Sequence, residues 1–394
     1  MSAASLAGSR ATSHFIVRDR VALVLAFAGT AGSVFGAFLS IAPNRLADGR
    51  PLPIWHLDVA GIAIIVALFL FLFTAAFIRD GTRRGGILFA SGVALLVAIL
   101  LTAGTEATAR LDPQEPARRI SLGSSFWILF VVGLLACFQG LQQFGRWKIP
   151  AVAAAIAAIV AIALSGELSS LSLAREFHAQ RSTFAIELVR HIGLVAVAVA
   201  LAMLIAVPLI LAAVYRPRSR EAIFTSLNLL QTIPSIALFG LLIAPLSFIA
   251  SHVALARELG IAGIGATPAV IALVLYALLP LVRSADAGLR NVPTEIRDAA
   301  RGMGMTPREI FWKVDLPLAM PALISGLRVA VVQSIGLATV AALIGAGGLG
   351  TFVFQGIGEY ALDLVLVGAL PIIFLAALAD ALFQAVLAKL RSRL

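Results

Sequence analysis

The chain has 394 residues, of which 60% are apolar and only 13% charged, with a formal net charge of +10 and a mean hydropathy of +1.01. A composition this apolar excludes a soluble domain, and it directs the basic excess toward a membrane surface rather than nucleic acid. The single cysteine, Cys137, lies within an apolar run, which leaves no disulfide framework or cysteine metal set to expect.

A membrane-spanning helix needs about 20 mostly apolar residues, and ten candidate segments follow along the chain. They are Val21 to Ala42, Leu57 to Ile78, Gly86 to Gly104, Ser125 to Phe144, Ile149 to Gly166, Ile192 to Val214, Leu229 to Ala250, Pro268 to Val282, Ala322 to Ile344 and Leu364 to Leu387. The eighth is short and is expected to extend in both directions. Lipid offers no partner for an unpaired backbone group, so these runs are expected to be helices. The predicted fold class is therefore all-α, a polytopic membrane protein of about ten transmembrane helices. The first run follows basic residues, as a signal peptide does, but its 22 apolar residues are too long for an h-region, so it is read as a retained helix.

Placing the N-terminus in the cytoplasm assigns twenty of the thirty Lys and Arg residues to that side, among them Arg10, Arg18, Arg146 and Arg393, and nine to the other. The positive-inside rule thus predicts both termini inside. Residues 1 to 170 hold five spans and no chemical motif. In the seventh and eighth spans, Pro234, Pro245 and Pro280 free carbonyls that need new partners. Gln231, Thr232 and Ser235 cluster at the first break. They are either lining a translocation pathway or pairing between helices in a packed kink. Trp55, Trp127, Trp147 and Trp312 fall near span ends and read as interface anchors.

The stretch from Val292 to Ala330 is a polar, helix-patterned island in this apolar chain. Thr294 is expected to cap a helix carrying Glu295 and Asp298 in its first turns. Ala299, Ala300, Gly302 and Gly304 give it a small-residue face, and Met303 and Met305 add adaptable apolar contacts. Thr306-Pro307 should break the helix, and Leu316-Pro317 with Pro321 should redirect the chain into the ninth span. Within the last two spans, Arg328 and Asp380 are charges that cost at least about 2.5 to 3.5 kcal/mol each when unpaired in lipid. They are expected either to pair or to face a wet inner vestibule. Gly345, Gly347 and Gly350, with Gly348 between them, satisfy G-x-G-x-x-G, but no strand precedes them, so a nucleotide site is rejected. An outer turn or gate with Phe352, Phe354 and Tyr360 packed nearby fits better. The histidines (His14, His56, His178, His191 and His252) are scattered, which argues against a catalytic or metal set. No internal repeat or midplane carboxylate supports an ion-coupled secondary transporter.

Asp298-Ala299-Ala300, Gly304, Val314 and Leu316-Pro317 together resemble the EAA loop of ATP-binding cassette importer permeases. Residues 184–394 resemble the type I permease core, most closely in the osmoprotectant group that carries glycine betaine, carnitine or choline. The resemblance also rests on Leu230 to Ser235, Tyr276 to Arg283 and Ile344 to Gly350. Asp298 stands where the usual motif has Glu, and Val314 where Ile is common. The five-span extension over 1–170 is larger than the standard core and resembles a minority of osmoprotectant permeases.

The resemblance implies a transport subunit in a bacterial cytoplasmic membrane, with no catalytic residues, metal or cofactor of its own. ATP and Mg would be bound by partner ATPase subunits, a second permease subunit would complete the pore, and a substrate-binding protein would deliver solute. Within the loop spanning 286–321, it assigns Glu295, Arg297, Asp298, Ala299, Ala300, Arg301, Gly304, Leu316 and Pro317 to ATPase coupling. Gln231, Thr232, Pro234, Ser235, Arg328 and Asp380 are the pathway candidates. The same machine carrying an amino acid, methionine or an oxyanion remains the alternative.

Overall fold

The computed structural model describes residues 19–392 apart from 46, 113, 116 and 146, and apart from the side chain of 217. Arg10, His14, Arg18, Arg146 and Arg393 lie outside the described residues. Two compact units divide the chain, Met1–Arg175 and Glu176–Leu394.

The first unit contains α1 (Arg20–Phe35), β1 (Ala37–Ala42), β2 (Arg50–Pro53), α2 (Val59–Ala75), α3 (Gly81–Arg110), β3 (Arg119–Leu122), α4 (Ser124–Leu141) and α5 (Lys148–Leu164). The first expected span ends early. Gly36 caps α1 in an extended conformation, and 37–42 becomes the central strand of a small antiparallel sheet ordered β2-β1-β3. An apolar run is compatible with helix or strand, and only the two partner strands decide between them. The other regular elements among the described residues are helices, as expected.

Small residues let α3 and α4 meet. A β-carbon placed on Gly92 would lie 2.7 Å from the Gly133 carbonyl oxygen, and one on Gly140 would lie 2.6 Å from that of Gly85. In both helices the paired glycines are seven residues apart, which keeps them on one face. A buried carboxylate closes each end of the bundle. Asp19 caps α1 through the amides of Val21 and Ala22. Its second oxygen meets Gln139 of α4 at 3.3 Å and Arg84 of α3 at 3.5 Å, and its own amide donates to Ala76, just after α2. At the other end Glu106 accepts the Asp58 amide at 2.7 Å and pairs with Arg110, which also reaches the His56 carbonyl.

The boundary between the units falls within α6 (Ser172–Ala179). The second unit continues with α7 (Arg181–Tyr215), α8 (Pro217–Thr232), α9 (Ser235–His252), α10 (Ala254–Glu258), α11 (Ala266–Arg290), α12 (Thr294–Gly302), α13 (Pro307–Ile310), α14 (Leu316–Val340), α15 (Gly350–Gly358) and α16 (Leu362–Arg391). Helix α11 is the central element, buried along most of its length and packed on α7, α8, α9 and α14. Its approach to α14 is close. β-Carbons on Gly288 and Gly326 would meet Ala322 at 2.7 Å and Ser284 at 2.6 Å.

Among the described residues, seven helices are long and apolar enough to cross a membrane, and three shorter apolar helices (α1, α2 and α5) complete the ten expected segments. The expected seventh span is split: α8 ends at Thr232 and α9 begins at Ser235, on either side of Ile233-Pro234. The eighth extends both ways, to Ala266 and Arg290.

Gly140→Leu should overpack the α3–α4 contact and destabilise the folded protein by about 2 kcal/mol or more. Gly86→Leu, on the facing helix α3 with nothing within 4 Å of its β-carbon position, should leave thermal unfolding in detergent nearly unchanged. Equal shifts for the two variants would contradict this packing account.

Candidate functional site

The polar loop folds as two short helices on a rigid base. Pro293, in an extended conformation, occupies the N-cap of α12, and Thr294 is its first helical residue. The expected Thr294 cap is therefore corrected by one position. The helix ends in a left-handed turn at Gly304 (φ +82°), with the Met305 amide donating back to the Ala300 carbonyl at 3.2 Å. A residue with a β-carbon would be strained there.

Thr306 then caps α13. Its hydroxyl accepts the Glu309 amide and Glu309 accepts the Thr306 amide, a reciprocal capping box. Residues Phe311–Asp315 form one π-helical turn that leads into α14 without a break. Leu316-Pro317 and Pro321 do not redirect the chain: both prolines lie within one continuous helical run, just after the π turn. The helical run Pro307–Ile344 has 38 residues, about 57 Å at 1.5 Å per residue against a hydrocarbon core of about 30 Å. Its polar first part up to Pro321 therefore stands outside the membrane. There the Thr306 amide, Lys313 and the Thr306 hydroxyl together pull the Glu309 carboxyl down to about 2.

Arg297 pins the loop to the membrane helices. Its Nε donates to Asp315 at 2.7 Å, and its Nη2 donates to the Leu289 carbonyl near the end of α11, also at 2.7 Å. Ala300 is buried, at 2% exposure. Arg297, by contrast, is half-buried and keeps part of its guanidinium side at a cleft lined also by Arg301 and Met305. The outward surface consists of Glu295, Asp298, Ala299, Gly302, Met303 and Gly304, with Trp312 beside them. Arg301 pairs with Asp298 at 2.8 Å on that exposed face.

Of the expected pathway residues, Gln231, Thr232, Pro234 and Ser235 sit where the break between α8 and α9 faces Pro280, inside α11. Pro280 has no N–H, so the Tyr276 carbonyl four residues earlier in α11 loses its helical donor. Gln231 supplies one, its Nε2 donating to that carbonyl at 2.8 Å. In return the Tyr276 hydroxyl donates to the carbonyl of Ile233, at the break before Pro234. Each interruption thus repairs the other. Thr232 turns back onto the Leu229 carbonyl at 2.7 Å, and Ser235 opens α9 half-buried.

Farther along α11, toward the loop, Asp286 is buried at 3% exposure. It joins α8 to α11 by accepting Arg220 on both oxygens and Arg290 at 2.8 Å. Arg283 donates to Asn228 at 2.7 Å. These groups line a polar cleft of about 660 Å³. Asp286 was not singled out from sequence, although its four-residue spacing from Arg290 was a readable helix-pair signal.

Arg328 of α14 and Asp380 of α16 pair at 2.5 Å, and Gln384 donates to the second Asp380 oxygen at 2.6 Å. Both charges are half-buried, so the pair forms without being sealed from its surroundings.

The glycines form a turn at the end of this unit opposite the loop. Gly347 and Gly348 are left-handed (φ +73° and +87°), and Gly350 begins α15 against the Thr339 carbonyl. Three residues of α7 hold this turn: Glu187 accepts the Gly348 amide and pairs with Arg190, and His191 lies fully buried alongside. Sequence reading left His191 among scattered histidines, because only the fold brings α7 to the turn. Phe352 is buried and its ring lies 6.1 Å from that of Phe184, but Tyr360 is 90% exposed and does not pack there as expected. Among the described residues no group of His, Cys, Asp and Glu is arranged to hold a metal.

A model of the family described as binding-protein-dependent transport system inner membrane component matches residues 192–392. One for the N-terminal domain of the ABC transporter permease YehY matches residues 18–174. The osmoprotectant import permease protein OsmW of Salmonella typhimurium is 43% identical over 195 residues, 48% of this chain and 84% of that protein. The choline transport system permease protein OpuBB of Bacillus subtilis is 35% identical over 190 residues, 48% of this chain and 80% of that one. The ergothioneine transport permease/ergothioneine binding protein EgtU of Helicobacter pylori is 39% identical over 168 residues, 43% of this chain and 28% of that one.

Gln231→Leu should cost about 1 to 3 kcal/mol by leaving the Tyr276 carbonyl unpaired. In a Pro280→Ala background the helix supplies its own N–H, and the cost of Gln231→Leu should fall substantially. Unfolding of the four proteins in detergent checks this, and equal costs in the two backgrounds would refute the reciprocal repair.

Proposed function

Because the chain belongs to the binding-protein-dependent transport system inner membrane component family, we propose that it is the permease subunit of an ATP-driven importer for osmoprotectants of the quaternary ammonium class, such as glycine betaine or choline. The observation that carries the coupling part of this reading is the loop. A small-residue helix face is presented outward on a base that Arg297 fastens to α11 and to the start of α14. The names of OsmW and OpuBB support the solute class. A multi-pass membrane chain with a basic surplus on one side fits a bacterial cytoplasmic membrane with both termini inside.

The machine requires three partners. ATPase subunits, which bind the ATP and Mg, dock on Glu295, Asp298, Ala299, Met303 and Gly304. A second permease subunit completes the pore, and a substrate-binding protein delivers solute from the opposite face. When the ATPase subunits close on ATP, they pull the loop. The Arg297 bonds to Leu289 and Asp315 carry that displacement into α11 and α14 as a rigid-body movement. Along α11 lie the Asp286 cleft and then the Gln231–Tyr276 crossing, which place polar groups on the route between loop and membrane centre. No step of chemistry falls to this chain.

The reading is tested by co-expressing the chain with its ATPase and binding protein and measuring ATP-dependent uptake of labelled glycine betaine into proteoliposomes. Ala299→Glu and Asp298→Lys, both on the outward face, should release the ATPase on purification and cut uptake about tenfold or more. Arg297→Ala should retain the ATPase yet transport several times more slowly, since it loosens the base and not the contact. Uptake of a different solute with the same ATP dependence would keep the importer and replace the solute. Uptake indifferent to the ATPase would overturn the reading.

A further inference from the structure

The carboxylate of Glu187 is 8% exposed and its side chain reaches across from α7 to a turn 161 residues later in the sequence. A buried carboxylate is costly unless its lone pairs are used. Here one oxygen accepts the Gly348 amide and the other lies 3.2 Å from Nη1 of Arg190. The turn is shaped to receive it. A β-carbon on Gly347 would lie 2.5 Å from the Arg190 side chain and 2.8 Å from Glu187, and one on Gly348 would lie 3.1 Å from Nδ1 of His191. Both glycines also adopt left-handed backbone, which a residue with a β-carbon rarely does, and the Gly348 amide is the one that meets the carboxylate.

His191 extends the grip to α14. It is fully buried, and its Nε2 lies 3.1 Å from the Ile335 carbonyl, so Nε2 carries the proton and donates it. Its Nδ1 has no partner and faces Gly348. Positions 187, 190 and 191 share one face of α7 by the three- and four-residue spacing of a helix. That one face therefore holds the end of α14, the turn and, through the turn, the start of α15. Gly356 of α15 and Gly368 of α16 allow these two helices to pack closely. The elements that lead away from the loop are thus tied together at the far end by a charged contact to backbone, beside the Gly265 amide that donates to the Ile344 carbonyl at 2.7 Å and the apolar cluster that Ala346 shares with Leu194.

We propose that Glu187 is a positioning residue for transport: by accepting the Gly348 amide it fixes the 345–350 turn to α7, so that events at this end of the permease reach the loop helices through α7 and α14 as one body. The inference rests on the importer reading above and adds a residue role to it. The carboxylate touches neither solute nor ATPase. Its loss should therefore separate two quantities that a contact residue would not: ATP hydrolysis in the absence of binding protein, and the stimulation of that hydrolysis by solute-loaded binding protein.

The test uses the whole reconstituted complex in proteoliposomes with wild type, Glu187→Ala, Glu187→Gln and Gly348→Ala. Basal hydrolysis, stimulation by loaded binding protein and solute uptake are measured on each. Glu187→Ala and Gly348→Ala are expected to keep basal hydrolysis within about twofold of wild type while stimulation and uptake fall about tenfold or more. Glu187→Gln is expected to lie between, because an amide oxygen still accepts the Gly348 N–H but no longer pairs with Arg190. If Glu187→Ala does not assemble, the near-isosteric Glu187→Gln carries the test, with a reduced ratio of stimulated to basal hydrolysis as the expected result. Wild-type ratios in the assembled variants would overturn the role of Glu187 while leaving the importer intact, as would a parallel fall of basal and stimulated rates. A wild-type complex that shows no binding-protein-dependent uptake of any solute would overturn the importer reading, and this inference with it.

Discussion

A backbone amide or carbonyl inside a bilayer has no water to turn to, and the architecture of this chain follows from how each one is paired. Regular helix solves the problem wherever it continues, and trouble arises where it stops. Proline interrupts its bonding twice near one crossing, at the α8–α9 break before Pro234 and within α11, where Pro280 lacks an N–H. The answer is an exchange, in which a side chain from each interrupted segment serves the carbonyl exposed in the other. The same requirement governs the carboxylates. Asp19 and Glu106 in the first unit, and Glu187 and Asp286 in the second, are nearly enclosed, and each accepts amide, guanidinium or both. Such groups join elements that are distant in sequence, because the donor each one needs is supplied by another segment.

Apolar burial cannot sort helices from one another in lipid, where the surroundings are as apolar as leucine, so close approach has to do it. That is the part played by Gly85, Gly92, Gly133 and Gly140 between α3 and α4, and by Gly288 and Gly326 between α11 and α14. A helix pair with backbones in near contact has little freedom to slide. In the proposed importer this stiffness lets a push at the loop arrive elsewhere in the unit instead of being absorbed nearby.

The loop shows how docking and transmission can be divided between neighbouring residues of one short helix. Asp298 and Ala299 face outward, where a partner can reach them. Arg297 and Ala300, one residue to either side, turn toward the base, and Arg297 fastens the helix to it. Helical periodicity enforces that division, since adjacent residues are about 100° apart around the axis. A capping box at Thr306 and Glu309 and a left-handed Gly304 set the angle between the two short helices.

Composition and apolar run length alone determined that this chain is a multi-pass helical membrane protein, and the ordered motifs from Leu230 to Gly350 determined its family resemblance. Those features are local, so a linear reading recovers them. The pairing of Arg328 with Asp380 was half legible, because the cost of an unpaired charge was met equally by that pair or by a wet vestibule. What only the tertiary structure decided was which segments meet. Residues 37–42 became a strand because two other segments were placed beside them. Arg297 turned inward because Leu289 and Asp315 lay within its reach. Glu187 and His191 gained their contacts only when α7 came to lie against a turn some 160 residues away. Pairing energy depends on geometry across such distances, and spacing along the chain does not encode it.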